Sequence, residues 1–201
     1  MNKLVITLFF FSLTIAVMAE TEKQKYKVLH VEDNIEIRYY PEAIMASVNV
    51  AGDYNSGRGD AFRSLAGYIF GGNENEQKIA MTAPVLMEQK NDSSKMSFVM
   101  PAKYDMKSLP NPNNSEVAIK KRPAYYTASI RFNGWGSNEK NKRYTLKLVE
   151  WLKKHDFEYT DKVIFKGYDP PFKLVNRRNE VHIILSAHPF KKHTKAEADL
   201  K

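Results

Sequence analysis

Five histidines, His30, His155, His182, His188 and His193, are the side chains of this 201-residue chain that by type could hold a metal or move a proton near neutral pH. No two of them stand four residues apart beside an acidic partner, the spacing a helical zinc site needs. His182 alternates with Val181, Ile183 and Leu185 and shares its strand face with Glu180, which predicts a cross-strand surface residue rather than a ligand. The absence of cysteine excludes disulfide frameworks, thiolate nucleophiles, iron–sulfur clusters and thioether-linked haem. There is no G-x-S-x-G, no P-loop and no dinucleotide fingerprint; Gly57-Arg58-Gly59 and Gly134-Trp135-Gly136 lack the remaining glycines and read as turns. An acid–base pair would have to be built from groups such as Tyr39 with Arg38 or Glu88, and no spacing selects one. Nothing in these residues predicts catalysis.

Short alternating runs must position whatever the chain binds. Val28 to Tyr40, with Asp33-Asn34 as turn residues, and Ile44 to Val50 read as strands on either side of Pro41. Gly57 to Phe70 reads as a helix, because Ala61, Phe62, Leu65, Ala66 and Ile69 recur at three- and four-residue spacing and Gly71-Gly72 can stop it in a left-handed conformation. Ile79 to Gln89 and Met96 to Pro101 form a hairpin across a polar turn at Lys90 to Lys95. Ser108 to Ser115, rich in Pro and Asn, is the central linker. The order then recurs: strands at Val117 to Arg122 and Ala124 to Phe132, a helix capped by Ser137 or Asn138 and running to about His155, and strands at Val163 to Tyr168 and Val181 to Leu185. In the second helix Tyr144, Leu148, Trp151 and Leu152 share a face. Each half is β-β-α-β-β, and a helix on one face of a small sheet buries too little alone, so two halves pack together.

The first residues address location. Lys3 precedes an uncharged run from Leu4 to Val17, with Val17 and Ala19 as the small or branched residues of a cleavage site, so residues 1–19 are predicted to be a signal peptide. The run is too short to span a bilayer comfortably, which needs about 20 apolar residues. This predicts a periplasmic or secreted protein without stable membrane insertion after cleavage. The net charge of +8 is spread over separate clusters, such as Lys120-Lys121-Arg122, Lys140-Asn141-Lys142-Arg143 and Lys191-Lys192. Scattered charge of this kind predicts a solvated surface rather than a nucleic-acid interface.

Ile37-Arg38-Tyr39-Tyr40-Pro41, the Gly71-Gly72-x-x stop after the first helix, Lys78-Ile79-Ala80-Met81-Thr82-Ala83-Pro84-Val85, Phe98-Val99-Met100-Pro101 and Gly167-Tyr168-Asp169-Pro170-Pro171-x-Lys173 followed by Arg177-Arg178-Asn179-Glu180-Val181 occur in order between Tyr26 and Ser186. In these motifs the chain resembles the SOUL/haem-binding protein family. The resemblance implies an α+β fold in which two quasi-repeated β-β-α-β-β units form a distorted antiparallel eight-stranded barrel or paired sheets with two flanking helices. It places one such domain at residues 20–188, with half-repeats at about 26–107 and 115–187 and a basic tail at 189–201. It further implies non-covalent binding of haem or another tetrapyrrole in an apolar groove beside the first helix, with no chemistry performed on the ligand.

A porphyrin is a flat apolar plate with two carboxylates, so it needs an apolar wall and a few cations. On the resemblance, Phe62, Leu65, Ala66 and Ile69 supply the wall, and Lys173 and Arg177 meet the propionates. Each wall residue has the alternative of facing the sheet as core, and Arg177 that of a structural salt bridge. Some family members carry histidine as a proposed axial ligand where this chain has Tyr39. Tyrosinate can ligate ferric haem, so Tyr39 is either a substitute ligand or a packing aromatic beside Tyr40, and Met81 is either a soft ligand or packing. A second reading is an interaction or effector-binding module that takes other small hydrophobic ligands without catalysis.

Overall fold

In the computed structural model the described residues are 21–51, 57–90 and 93–190. The predicted signal peptide at 1–19, His193 and nearly all of the basic tail lie outside them. The elements are β1 (Glu22–Lys23), β2 (Lys27–Glu32), β3 (Ile35–Tyr40), β4 (Ala43–Ala51), α1 (Arg58–Ile69), β5 (Thr82–Ala83), β6 (Val85–Lys90), β7 (Ser93–Val99), β8 (Ala118–Arg122), β9 (Tyr125–Asn133), α2 (Asn138–Lys154), β10 (Tyr159–Gly167) and β11 (Arg178–Leu185). The α+β class and the two helices agree with the expectation. The main sheet has nine strands, β2-β3-β9-β11-β10-β6-β7-β4-β8, because the run from Val28 to Tyr40 folds back at Asp33-Asn34 and adds β2 outside β3. Its ladder is open at β2 and β8 rather than closed into a barrel, and β1 pairs with β5 in a separate two-stranded ribbon.

The ladder is symmetric about the β10–β6 pair. On one side β10, β11 and β9 follow from the second half of the sequence; on the other β6, β7 and β4 follow from the first. The opening strand of each half is exchanged: β3 pairs with β9 and β8 pairs with β4. The exchange explains why neither β-β-α-β-β half buries its own sheet alone.

Gly57, in the left-handed region at φ 61°, precedes α1, whose Ala61, Leu65, Tyr68 and Ile69 are buried. That face packs on β4 and β7. Ser137 caps α2, its hydroxyl accepting from the Lys140 amide at 3.3 Å, and Lys153 and Lys154 favour the negative end of the helix dipole. Leu148 and Leu152 of α2 face β9, β10 and β11. Among the described residues no helix is long and apolar enough to cross a membrane.

α1 stops as predicted, with Gly71 at φ 113° and the Gly72 amide donating to the Gly67 carbonyl at 2.8 Å. The central linker is laid against this stop: Tyr68 Oη donates to the Pro110 carbonyl at 3.0 Å, and the Asn113 amide to the Gly72 carbonyl at 3.1 Å. A Cβ on Gly72 would lie 2.7 Å from the Gly67 oxygen and 3.0 Å from its carbon, both backbone atoms. Gly72→Ala is therefore expected to destabilise by roughly 1–3 kcal/mol, whereas Gly67→Ala, with nothing within 4 Å of its added methyl, is expected to stabilise by about 0.5–1 kcal/mol. Urea unfolding of the two variants checks both signs.

Both faces of the central strands are covered. The helix side carries the main apolar core, including Ile37, Ala128, Val181, Ile183 and Phe165. The predicted surface position of His182 is corrected here, since His182 and Glu180 are both 0% exposed. The sheet curls toward their face: β3 and β10 lie three spacings apart in the ladder, about 14 Å if flat, yet Lys166 Nζ of β10 stands 3.7 Å from the centre of the Tyr40 ring of β3. Residues 21–26 then strap across that side, with the Gln24 amide donating to the Ala83 carbonyl at 2.8 Å and the Ala102 amide to Glu22 Oε1 at 2.9 Å.

Candidate functional site

Strand alternation puts Arg38 and Tyr40 of β3, Lys166 of β10, and Glu180 and His182 of β11 on the curled face. Six hydrogen bonds end on the Glu180 carboxylate. Oε1 accepts from Arg38 (3.1 Å) and twice from Arg178 (3.0 and 2.7 Å); Oε2 accepts from Arg38 (2.7 Å), Tyr168 Oη (2.8 Å) and His182 Nε2 (2.9 Å). Burial pushes the Glu180 carboxyl up, but His182 and Arg38 outweigh it and hold the group well below the usual carboxylate range. Burial likewise works against the Arg38 cation and is outweighed by Glu180, which raises the Arg38 pKa. For His182 burial dominates, reinforced by nearby Lys166, and lowers its pKa to about 3. The ring is thus neutral at pH 7, and its partners assign the tautomer: Nε2–H faces Glu180 and Nδ1 accepts from Thr127 Oγ1 at 3.2 Å. With its lone-pair directions filled, Glu180 has no capacity left to act as a base. The cluster is a clamp that ties β3 to β11 and to Tyr168, the residue after β10, and through His182 to Thr127 of β9.

A cavity of about 530 Å³ opens at the side of the strap. Its apolar wall includes Ile44, Val99, Met100 and Met106, and it is ringed by four lysines, Lys23, Lys25, Lys107 and Lys121, and three carboxylates. Each carboxylate is engaged: Glu22 by the Ala102 amide, Glu42 by Lys121 Nζ at 2.8 Å, and Asp105 by the amides of Lys107 and Ser108. The volume lies within the range of small-molecule sites, roughly 300–1,000 Å³. An apolar wall with a lysine rim fits a flat apolar ligand bearing carboxylates. Of the lining residues, Met100, Met106 and Tyr104 have side-chain types that ligate haem iron. Among the described residues no group of three His, Asp or Glu side chains is placed to hold a metal ion.

The residues singled out from the sequence fall in three places. On α1, Leu65 and Ile69 are buried in the core against the sheet, while Phe62, 36% exposed with its ring edge-on to Phe98 at 5.4 Å, and half-buried Ala66 reach outward. Lys173 Nζ is bonded to Asp169 Oδ1 at 2.6 Å. Arg177 donates to the carbonyls of Asp169, Pro170 and Lys173 and lies 4.0 Å over the Trp135 ring, before α2. These cations sit in the loop between β10 and β11, whereas α1 packs on β4 and β7. Tyr39 packs at 5.2 Å on Tyr126, which carries His188 on its other side. Met81 is partly buried against the core. Sequence reasoning missed Lys166, Gln24, Tyr125 and the whole cavity lining. The alternation of charged residues in β3 and β11 was the available signal for the clamp, but alternation alone reads as an exposed face.

A family model described as SOUL heme-binding protein matches residues 21–184. The chain belongs to the SOUL heme-binding protein family. Mouse Heme-binding protein 2 is 35% identical over 164 residues, covering 77% of this chain and 79% of that one. Human Heme-binding protein 2 is 35% identical over 168 residues, covering 79% and 81%. Among solved structures, the EcmrR C-terminal domain is similar with a TM-score of 0.60 at 12% identity, covering 81% of this chain and 99% of that one. A hydrolase from Listeria innocua is similar with a TM-score of 0.57 at 10% identity, covering 76% and 92%. At such identities the likeness is one of fold. In this SOUL chain the strand-end segment Ile37–Pro41 and the segment Gly167–Val181 are the ones that deliver Arg38, Tyr40, Tyr168, Arg178 and Glu180 to the clamp.

Proposed function

We propose that the chain binds haem or a related tetrapyrrole non-covalently, as an exported protein for buffering, carriage or sequestration, and performs no chemistry on it. The observation that carries this reading is the cavity of about 530 Å³ with its apolar wall and lysine rim, which suits a plate with two carboxylates. The relatives named for haem binding support the ligand class. Haem, when bound, would supply its own iron chemistry; this chain's residues hold the plate and its carboxylates. A second wall is favoured by one observation, the outward-facing Phe62 and Ala66 of α1.

Haemin titration of residues 20–201, followed in the Soret region, tests the reading. Saturable one-to-one binding is expected, weakened roughly three- to tenfold by Lys107→Ala through loss of an exposed or partly buried charge pair. If Phe62→Ala weakens binding and Lys107→Ala does not, the α1 face is the site. Tyr39→Phe and Lys173→Ala test the axial ligand and the loop cation in the same assay. Absence of saturable binding overturns the tetrapyrrole reading and favours a module for other apolar ligands. Export is supported by the charge pattern of residues 1–19, and Glu20 as the first residue of secreted protein is the expected mass-spectrometric result.

A further inference from the structure

Three buried polar groups on the curled face are left out of the clamp. Lys166, 1% exposed, has its Nζ 3.7 Å from the Tyr40 ring centre and 3.3 Å from Gln24 Oε1. Gln24 lies close enough to the Tyr125 hydroxyl to lower the pKa of that phenol against the upward push of burial. Yet neither Gln24 Nε2 nor Tyr125 Oη, both buried, has a partner in good hydrogen-bond geometry. Unpaired buried donors of this kind call for an explanation. Gln24 Oε1 accepts from Lys166, while its NH₂ and the Tyr125 hydroxyl, though able to pair, stand outside hydrogen-bond geometry. A carboxylate has the same planar outline with two acceptor oxygens, and would accept from both Lys166 and Tyr125.

Gln24 also lines the cavity, and its side chain reaches Lys166, which does not line it. It is carried by the strap, whose hold on the sheet is the short β1–β5 ribbon and a few neighbouring hydrogen bonds. The groups facing Lys166 are Tyr40 and Gln24 in contact, with Glu180, Arg122, Arg38 and Arg178 acting at longer range. All the Glu180 lone-pair directions are taken by the clamp, and among the described residues the Lys166 amine meets no carboxylate within ion-pair distance.

We propose that the Gln24 head group occupies a carboxylate subsite at the inner end of the cavity, and that a ligand carboxylate takes its place between Lys166 Nζ and the Tyr125 hydroxyl. Resting on the tetrapyrrole reading, that carboxylate is one propionate, and the lysine rim meets the other. Burial, together with the three arginines, holds the Lys166 pKa well below its usual value. Arrival of a carboxylate works against this, so binding raises the Lys166 pKa.

The test compares haemin with haemin dimethyl ester, which keeps the plate and lacks the carboxylates, on the wild-type chain and on Lys166→Met. The wild-type chain is expected to prefer haemin by about tenfold or more, the range of a charged buried hydrogen bond; Lys166→Met loses most of that preference while still binding the ester. Calorimetry in buffers of different ionisation enthalpy, run at several pH values, is expected to show a proton uptake with the wild type that Lys166→Met lacks. Gln24→Glu places the carboxylate in the chain itself, and is expected to raise the melting temperature at pH 7 above that of Gln24→Ala and of wild type, and to weaken haemin binding about tenfold. Equal binding of haemin and ester, or an undiminished preference in Lys166→Met, overturns the subsite and leaves the tetrapyrrole reading standing. If neither compound binds, the tetrapyrrole reading fails; the subsite is then decided by melting alone, where a Gln24→Glu midpoint below wild type overturns it.

Discussion

Replacing Glu180 with alanine is expected to lower the unfolding midpoint at pH 7 by about 6–20 °C. Removing one partner of a buried ion pair costs about 3–5 kcal/mol, because the charges left behind cannot be rehydrated. For a domain of this size each kcal/mol shifts the midpoint by roughly 2–4 °C. Glu180→Ala strands Arg38, which is 2% exposed, together with the guanidinium of Arg178 and the hydroxyl of Tyr168. Arg38 retains Glu36, whose Oε2 accepts from Nε at 2.7 Å, but that pair lies within β3 and does not reach β11. Lys121→Ala is the contrast: its ion pair with Glu42 is exposed on both sides, and such pairs are worth about 0–1 kcal/mol. A calorimetric midpoint for Glu180→Ala within 2 °C of wild type would show that the clamp does not hold the sheet.

Acid is expected to unfold the chain through the same cluster. His182 has a folded pKa of about 3 against a reference value of 6.5. Between those limits the unfolded chain binds a proton that the folded chain does not, so stability falls as the pH drops through that window; above it the full contribution is present. Glu180 acts in the same direction at lower pH, since its carboxylate is held well below the reference value of 4.5. The His182 contribution amounts to roughly 3–5 kcal/mol at full extent. The urea midpoint is therefore expected to fall markedly between pH 7 and pH 4. His182→Gln keeps a donor for Glu180 and an acceptor for Thr127 but cannot titrate. Its midpoint at pH 7 is expected to be lower, by about 1–2 kcal/mol for imperfect hydrogen bonds, and its loss on acidification smaller than in wild type. An identical pH dependence in the two proteins would assign the acid response to other groups.

Both helices were legible in the sequence to within about a residue at each end because their signals are local. Ser137 caps α2 by bonding three residues ahead, and Gly71-Gly72 ends α1 by returning an amide to Gly67. Most strands were legible as to existence, but β1 was not read, Val28 to Tyr40 divides into β2 and β3, and Ile79 to Gln89 into β5 and β6. Strands β7, β10 and β11 each begin three or four residues before the apolar run, in β11 because Arg178 and Glu180 extend it as inward-facing polar residues. The expectation for α1 divides along the helix, since Leu65 and Ile69 are core while Phe62 reaches outward.

What the amino-acid order alone determined was the two helices, the order of the principal strands around them, the polar/apolar alternation of each strand and the family to which the chain belongs. Tertiary structure decided the exchange of β3 and β8 between halves, the open ladder, and the conversion of the charged face of β11 into an interior. Alternation states that a strand has a polar face and not what covers it. Coverage here depends on curling that brings Lys166 to Tyr40 across three strand spacings and on a strap more than 140 residues away in sequence from the lysine it meets. The cavity belongs to the same category, because residues 22–25, 41–44, 82, 99–102, 104–107 and 121 share no local pattern and become a site only when the sheet and its strap bring them together.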